Sequence, residues 1–477
     1  MNIKKYSNNE FVVLLLLILF SISIRFPFFS SGLIDGDEIT FIIMGKWVTS
    51  GNLAYDGLTD FKTPITFYMY GILSNILPDS LVSLRFAGSV ILGITSFIFY
   101  KILKKISNDD NLIGPFFLTS SLSFFYFNGQ SIMTEHLVVL PLLLSFFILL
   151  DIKNKFQFFI IGLLIGLAVS IRPNLVFLSL FVGIYFLLQN VKKNENINTF
   201  FYIIGISFII FINILPYIYS NKMDLFLEGA VYTPALYSSV GGNTIFINTI
   251  NLIKNGLLPV NQFIFFFKII FWSSSFIICL LATYEFLKNK NHILLLFMIY
   301  LLSIILPILF SGHAPSHYLY QIIPFAFLSH FLIKKKLKDI LNKYFNFFIY
   351  SFLIYTILVS TYSYKGYFDN INKLTNEEKI YEKIVKNKKN KTIYAYKYHI
   401  LYLMLDSYPR SRYLHPPNIF KKEYILINDG TNSEKEADKF FSGLNSVNFI
   451  IIEAPLIKFL NNFYKEFDKK NLDYQKE

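Results

Sequence analysis

Long apolar runs separated by short polar segments dominate this sequence of 477 residues. Stretches such as Phe11–Ile24, Ser89–Tyr100 and Leu294–Phe310 contain no Asp, Glu, Lys or Arg. A helix that crosses the hydrocarbon core needs about 20 mostly apolar residues, because it must satisfy its own backbone hydrogen bonds there. The pattern therefore predicts a polytopic, all-α membrane bundle.

The apolar runs predict about eleven transmembrane helices. They lie near residues 11–30, 82–100, 112–128, 134–150, 157–171, 173–189, 199–218, 264–287, 292–310, 317–333 and 345–363. The first run is interpreted as an uncleaved span, because no small-residue cleavage pattern follows it. Residues 64–77 are apolar but short, so we expect a helix lying on the outer membrane surface.

Lysines are concentrated in alternate connections between these spans, and the intervening connections hold only scattered cations. The positive-inside rule assigns the lysine-rich connections, and the N-terminus, to the cytoplasm of a plasma-membrane protein. The same placement explains the net charge of +13 without invoking nucleic acid. In residues 157–189, a hairpin with Arg172 at its outer tip fits the flanking lysines better than one crossing.

Composition then divides the chain into two domains. Over the whole sequence 54% of residues are hydrophobic and 16% are charged, and the single cysteine, Cys279, allows no intrachain disulfide. Residues 1–363 form the predicted membrane domain, with long outer loops at 31–81 and 219–263. Residues 364–477 are polar, and we expect a small extracytoplasmic α/β domain with strands at Thr392–Tyr396 and Phe449–Glu453 and a helix at Glu434–Leu444.

Candidate chemistry begins in the first outer loop. Asp35, Asp37 and Glu38 follow the first span, where a carboxylate could take a proton from an acceptor hydroxyl or hold a metal. The structural alternative is an acidic turn that caps the next helix. Lys62 precedes the predicted surface helix, where its ammonium could meet a lipid phosphate or simply extend to the interface.

Other charged or polar residues lie at the predicted outer ends of further spans: Arg85, the pair Glu135 and His136, Arg172, and the pair His317 and Tyr318. A carboxylate and an imidazole at membrane depth are costly unless they face a cavity or a partner. The alternative for Glu135 is a favourable interaction with a helix N-terminus. Because they share the outer ends of different spans, we expect six residues to converge on one outer-leaflet cavity: Asp37, Lys62, Arg85, Glu135, Arg172 and His317.

In their order, these motifs resemble the polyprenyl-phosphate-sugar-dependent membrane glycosyltransferases of the GT-C fold, close to the protein mannosyltransferases and the aminoarabinose lipid A transferases. The corresponding residues are Asp37-Glu38, Lys62-Thr63-Pro64, Arg85-Phe86 and His317-Tyr318…Gln321…Pro324. The stretch from Ile393 to Arg412-Tyr413 also resembles the terminal domain of such proteins. Thr63 stands where a proline is usual, and Glu135-His136 replaces the acidic residue common there.

The resemblance implies a GT-C-like fold and inverting transfer of a sugar from a polyprenyl-phosphate donor to a lipid, protein or glycan acceptor. It assigns catalysis to Asp37 and Glu38, and binding of the donor phosphate to Lys62, Arg85, Arg172, His317 and Tyr318. Some relatives use a divalent metal ion, for which Asp37, Glu135 and His136 are the candidate ligands.

Two other functions stay open at this level. A transporter or flippase for a lipid-linked sugar would also use an outward-facing cationic cavity, although the chain shows no internal repeat and has large outer loops. A membrane oligosaccharide polymerase or ligase would perform a similar reaction on a larger donor.

Overall fold

The computed structural model describes residues 9–107, 110–193, 197–235, 244–257, 262–310, 315–333, 339–370, 373–386, 393–395, 398–409, 414 and 449–451. Over these residues the protein is nearly all helical. The helices are α1 Glu10–Arg25, α2 Gly36–Thr49, α3 Pro64–Ser74, α4 Ser80–Ser107, α5 Ile113–Phe124, α6 Thr134–Leu149, α7 Phe156–Ile171, α8 Val176–Lys193, α9 Ile197–Tyr219, α10 Ile245–Leu257, α11 Gln262–Asn289, α12 His292–Phe310, α13 Ile323–Ile333, α14 Asp339–Asn370, α15 Asn376–Lys386 and α16 Ile400–Met404.

Each predicted span coincides with a helix, and six helical segments of the described chain are long and apolar enough to cross a membrane. They are Glu10–Phe28, Ser80–Ser107, Ile197–Tyr219, Ile264–Asn289, His292–Phe310 and Phe345–Asn370. The helices α5, α6 and α7 and the segment Pro173–Gln189 are apolar but shorter. A multi-pass membrane protein is therefore supported, and the count of eleven spans and the orientation of the termini stay predictions.

Two helix boundaries bear directly on the site. The helices α7 and α8 are separated at Arg172, whose backbone is extended (φ −136°, ψ 92°), as expected for a residue that precedes a proline. In the predicted span 317–333, Ser316–Gln321 forms a 3₁₀ turn, and the α-helix starts only at Ile323, next to Pro324. His317 and Tyr318 therefore lie on a turn rather than on a regular α-helix.

The first outer loop is itself a packed helical hairpin of α2 and α3. A Cβ atom on Gly45 would lie 2.4 Å from the backbone nitrogen of Gly71, so the two helices approach closely only because both positions lack side chains. The predicted surface helix is present as α3, and its Ile72 side chain is 63% exposed. Most residues of α2 are buried, so the helical hairpin is a packed platform within the first outer loop.

Aromatic side chains fill the core between α5, α11, α13 and α14. Phe117 contacts Phe271, Phe327, Phe348 and Phe352, with ring centroids 4.5–5.9 Å apart. All five rings are buried, and tilted or edge-to-face contacts of this kind add to the stabilisation from burial alone.

The described C-terminal residues pack on the first outer loop. The ring of Tyr408 lies 5.1 Å from that of Trp47 in α2, and Lys46 forms an ion pair with Asp406 at 3.5 Å. The C-terminal segment and the first outer loop thus share one end of the bundle.

The two predicted C-terminal strands are present as β1 Ile393–Ala395 and β2 Phe449–Ile451, which pair in parallel with Ile393 opposite Phe449. The predicted helix Glu434–Leu444 and the dipeptide Arg412-Tyr413 lie outside the described residues. The α/β domain and the boundary after residue 363 stay predictions, and α14 itself continues to Asn370.

Candidate active site

The acidic motif of the first outer loop starts α2. Asp35 is the N-cap residue, and its carboxylate accepts a hydrogen bond from the backbone N–H of Asp37 at 2.9 Å. The other carboxylate oxygen of Asp35 accepts from the Asn128 amide at 3.3 Å. Burial, and then the neighbouring charge of Asp37, raise the pKa of Asp35 to about 7. Asp35 therefore caps the helix, as the structural alternative for this acidic motif predicted. Asp37 lies in the first turn of α2 and is half-buried.

Glu38 and Arg85 form a fully buried ion pair. Arg85 Nη2 lies 2.6 Å from Glu38 Oε2, and neither side chain is exposed to solvent. The guanidinium also donates to backbone carbonyls of Phe28, Phe29, Ser31 and Gly32. Glu38 Oε1 accepts from the backbone N–H of Ile132 at 2.7 Å. These contacts hold the start of the first outer loop against α4 and the segment before α6, and they occupy both side chains completely.

A second charged group gathers at the ends of α6 and α7 and on the 3₁₀ turn before α13. Arg172 Nη1 lies 2.5 Å from Glu135 Oε1, and His317 Nε2 lies 3.8 Å from the same oxygen. The guanidinium of Arg172 stacks 4.3 Å from the centre of the Tyr318 ring. Glu135 is fully buried, whereas the His317 side chain is 21% exposed. One buried carboxylate therefore lies within reach of an arginine and a histidine from different elements.

Lys62 joins this group from the first outer loop. The hydroxyl of Thr63 donates to the carbonyl of Ser170 at 2.6 Å, which fixes the loop beside the end of α7. Burial lowers the pKa of Lys62, and the charge of Arg172 lowers it further. Lys62 makes no salt bridge to any residue in the described ranges. Lys62 is half-buried, and its ammonium lies 5.8 Å from the centre of the Phe41 ring.

Asp37 completes the group through charge. Its carboxylate interacts electrostatically with Lys62, Arg172 and His317. We call the six residues Asp37, Lys62, Glu135, Arg172, His317 and Tyr318 the outer cluster. Five of the six residues expected to converge, Asp37, Lys62, Glu135, Arg172 and His317, interact with one another, whereas the sixth, Arg85, pairs with Glu38. The cavity itself stays a prediction, and His136 bonds to backbone groups instead. The roles assigned to all of these residues stay predictions.

His136 does not fit a metal site. Its Nδ1 accepts from the backbone N–H of Met133 at 3.1 Å, and its Nε2 lies 2.9 Å from the carbonyl of Leu122, so both ring nitrogens are engaged. Glu135 is paired with Arg172, and no group of three His, Cys, Asp or Glu side chains that could hold a metal occurs within the described residues. Metal dependence stays a prediction of the resemblance.

Arg25 is a fully buried residue that the sequence interpretation did not single out. At the end of α1, it donates to the carbonyls of Gly129, Gln130 and Ser131 at 2.5, 2.9 and 3.2 Å. These carbonyls belong to the turn that also supplies Asn128 to Asp35. In the sequence, Arg25 is marked as a candidate by its position directly after an apolar run, because a charge at membrane depth needs an internal partner.

Lys268 is the second residue that was missed. It lies inside the predicted span 264–287, is 1% exposed, and its ammonium sits 4.4 Å from the centre of the Tyr126 ring. Tyr126 in turn contacts Tyr320 on the His317 turn, with ring centroids 5.2 Å apart. A lysine within an apolar span is by default a functional candidate, and that signal is visible in the sequence.

Comparison with known proteins gives a family for part of the chain. Residues 61–219 match the family of dolichyl-phosphate-mannose-protein mannosyltransferases. No curated protein matches the chain. Among solved structures, the apo crystal structure of the Archaeoglobus fulgidus oligosaccharyltransferase is similar at a TM-score of 0.46 and 13% sequence identity, covering 92% of this chain and 69% of that one.

The family match covers Lys62, Arg85, Glu135 and Arg172 and leaves Asp37 and His317 outside it. The resemblance to the GT-C membrane glycosyltransferases is therefore confirmed through the mannosyltransferase family to which residues 61–219 correspond.

Proposed function

We propose that this protein transfers a sugar from a polyprenyl-phosphate donor to an acceptor hydroxyl at the extracytoplasmic face of the membrane. The family match supports a membrane glycosyltransferase, and the donor class and the inverting course are the proposed refinements. The single observation that carries the proposal is the outer cluster, in which Arg172 and His317 share the Glu135 carboxylate and interact electrostatically with Lys62 and Asp37.

The cluster suits a phosphate leaving group. When the bond between the anomeric carbon and the phosphate oxygen breaks, negative charge grows on that oxygen, and preorganised donors in a water-poor site stabilise it. Arg172 presents a planar fork that matches phosphate geometry, and Lys62 provides a point charge. Glu135 balances part of the resting positive charge and holds Arg172 and His317 in orientation, which is a positioning role.

Asp37 is the proposed base. The acceptor hydroxyl attacks the anomeric carbon, its proton passes to the Asp37 carboxylate, and polyprenyl phosphate leaves with the electrons of the broken bond. A single displacement of this kind inverts the anomeric configuration. Asp37 fits the task because it is half-buried in the first turn of α2 and interacts with the same cations that would hold the phosphate.

For Glu38 and Arg85 we propose a supporting role. Their mutual ion pair and the contacts to Ile132 and to residues 28–32 leave no group to meet a ligand. They fix the backbone that carries Asp37, and catalysis itself would rest on Asp37.

The test offers the purified full-length protein, in proteoliposomes, a panel of polyprenyl-phosphate sugars with candidate lipid, peptide and glycan acceptors. We expect one donor to be consumed with stoichiometric release of polyprenyl phosphate. Movement of donors across the bilayer without release would favour the transporter. Consumption of only oligosaccharide donors would favour the polymerase or ligase.

A further inference from the structure

We propose that two segments of the second outer loop, 222–235 and 244–257, position the phosphate-binding residues. They do so by packing against Tyr55, whose hydroxyl bonds to Lys62, and against Leu319 within the His317 turn. The proposal rests on the proposed function, because it takes Lys62 and His317 as ligands of the donor phosphate. The role of this loop does not follow from the sequence.

Tyr55 carries the first contact. Its backbone φ is 69°, in the left-handed region that bulky residues rarely adopt, and its side chain is 1% exposed. The hydroxyl donates to the backbone carbonyl of Lys62 at 2.5 Å. A strained aromatic residue persists only when its surroundings hold it, and here its hydroxyl fixes the peptide unit that follows Lys62.

Gly229 supplies the surroundings from the second outer loop. It lies in the π-helical segment Leu227–Tyr232, and a Cβ atom there would come within 2.4 Å of the Tyr55 ring. π-Helical turns are rare in proteins overall, but those that occur are often found at functional sites. An ion pair between Lys222 and Asp56, at 2.6 Å, fastens the same segment next to Tyr55. The loop therefore touches Tyr55 through backbone, with no room for any side chain at Gly229.

Gly256 makes the second contact at the other end of the loop. It belongs to α10, and a Cβ atom there would lie 2.7 Å from Leu319 Cδ1. Leu319 is buried within Ser316–Gln321, the 3₁₀ turn that carries His317 and Tyr318. The amide of Asn248 donates to the carbonyl of Leu309 at 3.0 Å and so holds α10 against α12.

The two contacts have one consequence. Lys62 and His317 are far apart in sequence, yet the same loop braces the segment of each through a glycine that is packed to contact. Displacement of either end would move Lys62 relative to His317. Affinity for the phosphate should then fall while the fold is kept.

The experiment measures binding of undecaprenyl phosphate, and of undecaprenol as the phosphate-free probe, to the full-length protein in nanodiscs. Three variants are compared: Tyr55→Phe, Gly229→Ala and Gly256→Ala. The matched control is Gly366→Ala in α14, where no atom lies within 4 Å of the added Cβ. We expect about tenfold weaker phosphate binding in the three variants, since small displacements of a positioned group cost at least that much. Undecaprenol binding should match the control in all three variants.

Three results would overturn the proposal. Wild-type affinity for undecaprenyl phosphate in all three variants, together with a loss in Lys62→Ala, would reject the bracing role and leave the proposed function intact. Equal losses for the phosphate and the alcohol would indicate a general packing defect. Unchanged binding in Lys62→Ala would reject the proposed phosphate site itself. The Tyr55→Phe variant keeps the ring, so it tests the hydroxyl even where the alanine variants fold poorly.

Discussion

The Glu135 carboxylate lies 2.5 Å from the Arg172 guanidinium, within the part of the chain that matches the mannosyltransferase family. Glu135 is fully buried and Arg172 is nearly so. Two charges in such a position stabilise each other only while both are present. The pair therefore links the orientation of a proposed phosphate ligand to the presence of one carboxylate.

Replacement of Glu135 by Gln should lower sugar transfer at least tenfold, because Arg172 and His317 lose their shared partner and a buried cation is left uncompensated. The KM for the donor should rise, as measured by initial rates across donor concentrations. Arg172→Lys should also fail to support transfer, since lysine lacks the fork and the stacking on Tyr318. Normal kinetics in Glu135→Gln would remove the positioning role.

Replacement of Asp37 by Asn should abolish transfer in proteoliposomes while expression, melting temperature and donor binding persist. The amide keeps the size of the side chain but cannot accept the acceptor proton, and general base catalysis is worth about 10²–10⁴-fold. Donor consumption and polyprenyl phosphate release are the measurements. Full transfer in this variant would contradict the assignment of Asp37 as the base.

Lys62 predicts a pH dependence of phosphate binding. Its pKa lies below the ordinary lysine value because of burial and then the charge of Arg172, so it loses its proton at a lower pH than free lysine does. Affinity for undecaprenyl phosphate should decline as the pH rises through the alkaline range. A Lys62→Arg variant, which stays protonated, should bind with little change across the same range. Identical pH profiles for the two proteins would exclude Lys62 as the titrating group.

The buried pair of Glu38 and Arg85 predicts a large effect on stability. Removal of one partner, as in Glu38→Ala, should destabilise the protein by about 3–5 kcal/mol, because Arg85 would remain buried and unpaired. Glu10→Gln is the matched control, since Glu10 pairs with Lys101 at the exposed surface, where a pair contributes about 0–1 kcal/mol. Thermal or denaturant unfolding in detergent measures both, and equal effects would contradict the buried role.

Asp35 predicts a stability change near neutral pH. Its folded pKa of about 7 lies above the ordinary value of 3.8, owing first to burial and then to the charge of Asp37. The folded state therefore binds the proton more tightly, so this contribution to stability is complete below about pH 4 and is lost as the pH rises through 7. Asp35→Asn should be more stable than the wild type at pH 8, and the difference should vanish at pH 4. A difference independent of pH would exclude Asp35.

The sequence was sufficient for the helices that coincide with the apolar runs and for the choice of Lys62, Glu135, Arg172 and His317, whereas α10, α15 and α16 were not predicted. Apolar runs predicted each span, and Arg172 followed by Pro173 gave the break between α7 and α8, because both signals are local. The platform of α2 and α3 was harder to foresee, since its close packing depends on Gly45 meeting Gly71 across the loop.

The spacing of the charged residues along the sequence does not reveal which of them pair with one another. Glu38 stands next to Asp37 in sequence, yet its side chain turns inward to Arg85, because successive residues on a helix point in different directions. His136 likewise stands next to Glu135, yet both of its nitrogens bond to backbone groups. Tyr55 was missed because its strained backbone and its contact with Gly229 exist only in three dimensions.

The contacts of Arg25 give α1 a second role besides anchoring the chain in the membrane. By hydropathy, α1 is interchangeable with any other membrane anchor. Its last residue, Arg25, however, binds the segment 128–132, and that segment contacts Asp35 and Glu38. A chimera that exchanges α1 for an unrelated anchor would insert into the membrane but would lose this internal support. Such an exchange is therefore not a neutral choice when this protein is engineered for expression or fused to a reporter.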